Sequence, residues 1–267
     1  MDIDGRTVIV TGAGSGIGRA LAGEFAGAGA RVVAGDVDEA GVQETADQIR
    51  AAGGRAIGLR ADAADTAGIE SLITLAGREF GPVDVYVANA GIMGAPELGS
   101  EDDWDRILDV NLRAHVRAAR LLVPHWKSRG AGHFVSIASA AGLLTQLGAA
   151  GYAVTKHAAV GFAEWLAVSY GDDGIGVSCV CPMGVETPLI AAIRGAADPA
   201  ARLAADAVLR AAPTVTPEDV AALTVAAVRS GTFLVLPHPE VLDMYRGKGA
   251  DYDRWISGMR RYRRSLQ

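Results

Sequence analysis

The eight residues Thr11-Gly12-Ala13-Gly14-Ser15-Gly16-Ile17-Gly18 constrain this chain more than any other segment. They follow a short β-branched run over 7–11 and open a stretch with helical spacing. Glycine lets a backbone turn sharply and approach another group closely, because it carries no Cβ. Amides freed at such a turn, backed by the positive end of a helix, form a site for a phosphate anion. A glycine pattern alone is weak. Here the strand–turn–helix context is present, and an acidic residue, Asp36, stands 18 positions after Gly18 at the end of the next β-like run. That combination is the mark of a dinucleotide-binding turn.

The same rhythm continues along the chain. β-like runs over 7–11, 31–36, 56–61, 83–88, 133–139, 177–181 and 233–236 alternate with helical stretches over 17–28, 39–52, 66–80, 104–129, 152–170 and 217–229. Strict alternation implies parallel strands joined by right-handed crossovers, with helices on both faces. The fold class is therefore α/β, a single doubly wound domain over residues 1–267 with a parallel sheet of about seven strands and a core from about 5 to 236. The continuous apolar run at 83–88 suits a strand buried on both faces. Pro124 falls inside the 104–129 stretch, where proline ends or kinks a helix.

Two segments break the pattern. Residues 183–212 are alanine-rich, with little strand signal, and read as an active-site lid or a disordered connection. Residues 251–267 place Tyr252, Trp255, Met259, Tyr262 and Leu266 at three- and four-residue steps, opposite Arg254, Arg260, Arg261, Arg263 and Arg264. Such a helix docks on its own or a neighbouring subunit, or lies on a membrane surface.

Composition narrows the function. Half of the 267 residues are apolar and 21% are charged, as in a soluble globular protein, and a net charge of −6 supplies no basic stripe for nucleic acid. The only cysteines, Cys179 and Cys181, alternate along one β run. They read as a small buried pair, with neither a metal-ligand set nor a disulfide framework. No run of 18 apolar residues spans a membrane, and Met1-Asp2-Ile3-Asp4 has no signal-peptide character. A cytoplasmic location is expected.

The chemistry is written at four further places. A carboxylate at Asp36 can accept both hydroxyls of an adenosine ribose and would repel a 2′-phosphate. Val37 and Ser15 are uncharged, so NAD is favoured, with NADP the alternative. Tyr152 and Lys156 stand four apart on one helix face. Thirteen residues before Tyr152, Ser139 ends a strand, where ligands sit in open α/β sheets. Asn89-Ala90-Gly91 closes the fourth strand, and Asn111 lies in the following helix. Oxidising a secondary alcohol requires loss of its hydroxyl proton as the carbonyl forms. A phenol can accept that proton if a nearby cation lowers its pKa from about 10. Lys156 is that cation. Ser139 would hold the substrate oxygen near Tyr152.

Together, Thr11–Gly18, Asn89–Gly91, Asn111, Ser139 and Tyr152–Lys156 resemble the short-chain dehydrogenase/reductase family over about residues 5–236. The resemblance implies a Rossmann-type sheet, a nicotinamide cofactor and a homotetramer or homodimer. It implies a cofactor site of Gly12, Ser15, Gly16, Ile17, Gly18, Asp36, Asp62 at the adenine, Asn89, Gly91, Tyr152, Lys156, Pro182, Val185 and Thr187. It also implies that Lys156 binds the nicotinamide ribose and that Asn111 holds a proton-relay water. Met183 stands where the family usually has glycine. The expected pocket wall of Met93, Leu143, Leu144, Leu147, Met183 and Val185 suits a hydrophobic secondary alcohol or ketone, with Arg194 the one cation able to clamp an anion. A membrane-peripheral dehydrogenase recruited by its C-terminal helix is the remaining alternative.

Overall fold

A computed structural model describes residues 1–266. Seven parallel strands form one sheet in the order β3-β2-β1-β4-β5-β6-β7. They are β1 (Thr7–Thr11), β2 (Arg31–Asp36), β3 (Arg55–Arg60), β4 (Val85–Ala88), β5 (Gly132–Ile137), β6 (Ile175–Val180) and β7 (Leu234–Val235). The order reverses between β1 and β4, and ligands bind outside the carboxyl ends of strands at such a switch point.

Alternate residues of each strand feed two separate cores. Val8, Val10, Val32, Val85, Val87 and Val135 pack under helices α1 (Gly16–Gly27), α2 (Glu39–Ala51) and α9 (Pro217–Ser230). Ile9, Val33, Tyr86 and Phe134 pack on the opposite face under α3 (Thr66–Glu79), α5 (Ala114–Arg129) and α6 (Ala150–Tyr170). Burial on both faces explains why the segment of β4 reads as a continuous apolar run. Cys179 and Cys181 are both buried, with sulfurs 3.9 Å apart.

The expected helix over 104–129 is a rod of three pieces: α4 (Glu101–Leu108), a π-helical turn (Asp109–Arg113) and α5. Ser100 and Asp103 form a capping box at its start. Pro124 lies inside α5 without ending it. β5 stops at Ile137, so Ser139 sits beyond the strand rather than at its last position. Strand β7 is shorter than the 233–236 expected.

Residues 183–212 are neither disordered nor featureless. They hold α7 (Pro188–Arg194) and α8 (Pro199–Leu209), each opened by a capping side chain, Thr187 or Asp198, followed by proline at the first helical position. After β7, α10 (Glu240–Ala250) precedes α11 (Tyr252–Ser265). The latter is the amphipathic helix expected at 251–267; residue 267 lies outside the described residues. Among the described residues, no helix is long and apolar enough to cross a membrane.

Candidate active site

At the switch point, β1 delivers the glycine turn. A Cβ on Gly18 would overlap the Gly12 carbonyl oxygen and the Asn89 carboxamide, so glycine is required there. Asn89 Nδ2 donates to the carbonyls of Thr11 at 2.8 Å and Gly12 at 3.2 Å, holding the turn in shape. Ser15 stands at the N-cap of α1, yet its side chain caps no amide. The first-turn amides therefore remain available for an anion, and the α1 dipole favours one. Asp36 Oδ2 accepts the Gly14 N–H at 2.8 Å, and Oδ1 accepts the Asp38 N–H at 3.0 Å. Asp62 Oδ1 accepts the Ala64 N–H at 2.8 Å, and Asp62 lines the same cavity. Open amides, a cradle that one Cβ would fill and a carboxylate 22 residues from Gly14 fit a dinucleotide.

The cavity has a volume of about 1420 Å³ and continues from this turn to Tyr152. Lys156 Nζ is buried, donates to the Ile137 carbonyl at 2.9 Å and lies 5.6 Å from the centre of the Tyr152 ring. Burial pushes this ammonium down to about 8, against the pull of Cys181 and Cys179. Burial pushes the Tyr152 phenol up, and the Ser139 hydroxyl opposes that rise. In the protein by itself the phenol is thus shifted up, the reverse of the lowering expected beside Lys156. The Ser139 Oγ accepts the Ala141 N–H at 3.1 Å and faces the Pro182 carbonyl at 3.4 Å.

Asn111 differs from its expected placement. It is fully buried in the π-helical turn, behind the cavity wall. Its Oδ1 accepts the Ile92 N–H at 2.9 Å, and its Nδ2 donates to the Ile92 carbonyl at 2.9 Å and the Thr155 hydroxyl at 3.2 Å. The carboxamide therefore clamps the loop after β4 to α6, between Tyr152 and Lys156. A Cβ on Gly91 would lie 3.4 Å from Asn111 Oδ1 and 3.5 Å from Lys156 Nζ, which places these three residues together.

The remaining expected residues, Gly16, Ile17, Pro182, Val185 and Thr187, all line the cavity. Thr187 caps α7 and packs against the glycine turn, where a Cβ on Gly16 would come 3.3 Å from its methyl group. Met183 also lines the cavity, with its N–H donated to His238 Nδ1 at 3.1 Å. Its φ is not positive, so the backbone there does not need glycine.

The wall opposite Tyr152 departs most from expectation. Met93, Leu144, Leu147, Met183 and Val185 line the cavity, but Leu143 is buried in the core beneath it and Arg194 lies off the cavity. Ile190, Val208, Met244, Trp255, Met259 and Tyr262 complete the wall. The last three come from α11, which is seated on its own subunit. Tyr262 Oη donates to the Ala207 carbonyl at 2.9 Å, and Lys248 Nζ donates to the carbonyls of Leu143 at 2.8 Å and Leu144 at 2.7 Å. The spacing of 255, 259 and 262 was a readable signal; its destination was not.

Comparison with known proteins agrees with this geometry. A family model described as short chain dehydrogenase matches residues 6–198. The 3beta-hydroxysteroid dehydrogenase 1 of Eggerthella lenta is 35% identical over 225 residues, covering 83% of this chain and 85% of that protein. The 1-deoxy-11-beta-hydroxypentalenate dehydrogenase of Streptomyces exfoliatus is 32% identical over 268 residues, covering 96% and 92%. A crystal structure of a short chain dehydrogenase/reductase from Burkholderia phymatum in complex with NAD superposes with a TM-score of 0.86 at 32% identity, covering 95% of this chain and 96% of that one. A glycine turn at the switch point, Tyr152 one helical turn from buried Lys156 and this similarity along most of the chain lead to one assignment: the chain belongs to the short-chain dehydrogenase/reductase family, oxidoreductases that interconvert alcohols and ketones with a nicotinamide cofactor.

Proposed function

We propose that this protein is an NAD-dependent dehydrogenase that interconverts a hydrophobic secondary alcohol and its ketone. The reading is carried by one observation: Tyr152 and buried Lys156, one helical turn apart beside Ser139, share a continuous cavity with the glycine turn. The glycine turn, Asp36 and Asp62 would hold NAD, which would supply the hydride acceptor for the carbinol carbon. Tyr152 Oη takes the hydroxyl proton as the carbonyl forms, and returns one during reduction. Ser139 Oγ hydrogen-bonds the substrate oxygen. The Lys156 ammonium would favour the phenolate through its charge and would bind the nicotinamide ribose. Asn111 acts by positioning, since its side chain is committed to Ile92 and Thr155.

NAD rather than NADP is supported by Asp36, which would face a 2′-phosphate across the cavity, with exposed Val37 beside it. The nearest cation in sequence to the glycine turn, Arg19, is engaged by the Gly14 carbonyl at 2.6 Å and by Glu44 at 2.8 Å, and does not line the cavity. A homodimer or homotetramer is supported by the outward face of α6, where Val154, Trp165 and Val168 are exposed at helical spacing.

An NAD-reduction screen over sterol, terpenoid, aromatic and alicyclic secondary alcohols tests the reaction. Tyr152→Phe should abolish turnover of any responding alcohol while NADH fluorescence still reports binding. Substantial residual turnover would overturn the proposed proton acceptor.

A further inference from the structure

α11 presents two adjoining stripes to the cavity. Trp255, Met259 and Tyr262 form an apolar stripe, and Arg254, Gly258 and Arg261 form a second one, one residue behind it. A Cβ on Gly258 would lie 3.8 Å from an Arg261 guanidinium nitrogen, which places Arg261 back along the helix over Gly258. Arg210, which also lines the cavity, ends α8 one turn after Ala207, whose carbonyl receives the Tyr262 hydroxyl. Arg210, Arg254 and Arg261 thus line the same cavity as this apolar wall, with Arg210 joined to α11 through the Tyr262–Ala207 hydrogen bond.

Their charges are largely uncommitted. Among the described residues, neither Arg254 nor Arg261 lies within 4.0 Å of a carboxylate, and Arg210 has only half-buried Asp206 at 3.5 Å. The cavity's own carboxylates are engaged elsewhere. Asp36 and Asp62 serve the glycine-turn end, Asp109 pairs with Arg117 and Arg113, and Asp251 accepts the Arg254 N–H as the N-cap of α11. A planar guanidinium matches an oxyanion with two parallel hydrogen bonds. Cations at the mouth of an apolar cleft also raise the local concentration of anions.

Building on the dehydrogenase reading, we propose that the preferred substrate is an amphiphilic alcohol. Its carbinol meets Tyr152, its apolar body lies against Leu147, Met183, Trp255 and Met259, and a carboxylate at its far end is held by Arg254, Arg261 and Arg210. The arginines select the substrate and take no part in moving the hydride or the proton.

The test uses hydroxycholanoates, 4-(1-hydroxyethyl)benzoate and hydroxycyclohexanecarboxylates, each assayed beside its methyl ester with the full-length protein and NAD. At least one carboxylate should exceed its ester in kcat/KM by tenfold or more, and the excess should shrink as NaCl is raised from 0.02 to 0.5 M. In the exposed double variant Arg254→Gln/Arg261→Gln, the carboxylate-to-ester ratio should fall at least tenfold through KM. Arg260→Gln, outside the cavity lining, should leave the ratio as it was. A non-oxidisable carboxylate of the same shape should inhibit competitively and lose that effect in the double variant. Equal turnover of acid and ester in the native protein, or a ratio unmoved by the double variant, overturns the carboxylate assignment while leaving the dehydrogenase reading intact. No turnover of any member of the panel overturns both.

Discussion

Lys156 Nζ donates to the Ile137 carbonyl at 2.9 Å from a fully enclosed position on α6, and burial holds its pKa at about 8. A buried lysine with a lowered pKa is a strain on the native state wherever it is charged. Below pH 8 both folded and unfolded chains carry the proton, and the charge costs the native state about 3 kcal/mol. Between pH 8 and 10.5 the unfolded chain binds more protons, so native stability rises with pH. Lys156→Met should therefore be inactive yet unfold at a higher temperature than the native protein at pH 7. That advantage should shrink by pH 10. Calorimetry across this range checks it, and a less stable variant at pH 7 would contradict it.

Two histidines should act in the same sense, in a lower pH window. Burial holds His115 near 3 and His133 near 4, each beside a serine hydroxyl, Ser136 at 3.1 Å and Ser178 at 3.0 Å. Their folded pKa values lie below the unfolded value of 6.5, so stability falls as pH drops through 6.5 toward those values. At pH 5 each should have cost about 2 kcal/mol relative to pH 7. Urea midpoints at the two pH values measure the sum, and His115→Gln should flatten the dependence.

Cofactor preference rests on Asp36. Steady-state kinetics should give a kcat/KM for NAD at least tenfold above that for NADP. Asp36→Ala should narrow the gap from both sides, weakening NAD and relieving repulsion of the 2′-phosphate. The variant also loses the Gly14 N–H acceptor, so the loss for NAD should be the larger change.

The seat of α11 depends on one cation. Lys248 is buried, donates to two carbonyls of the segment after β5, and lies 5.5 Å from the Tyr252 ring centre and 5.1 Å from that of Trp255. Lys248→Ala should leave those carbonyls unpaired and weaken the docking by about 2 kcal/mol. Hydrogen exchange should accelerate across residues 252–265 while the sheet remains protected. KM for the alcohol should rise more than kcat falls. Unchanged exchange in α11 would show that Lys248 does not anchor it.

The parts of this site that were readable in the sequence are local. Thr11–Gly18, the four-residue Tyr152–Lys156 step and Asp36 each declare themselves through spacing along one element, and the structure brings them to one cavity. The π-helical turn at Asn111 has no comparable sequence signal, because an extra residue in a helix leaves the surrounding periodicity nearly intact. The helices in 183–212 were signalled by Thr187-Pro188 and Asp198-Pro199, although the alanine-rich composition obscured them. α10 carries Gly247 and Gly249, which weaken its helical pattern. Arg254 and Arg261 were visible as charges on a helix. That they line one cavity with Met183, some 70 positions earlier, follows only from tertiary docking.

Every residue proposed to hold the dinucleotide or carry the proton lies between Gly12 and Thr187, whereas α8, α10 and α11 furnish enclosure and the arginines proposed to select the substrate. Such a layout separates the reaction from the choice of reactant. Grafting residues 240–266 from a relative with a different alcohol should transfer preference without rebuilding the machinery, so the chain's last tenth is where new specificities can arise with least harm to turnover.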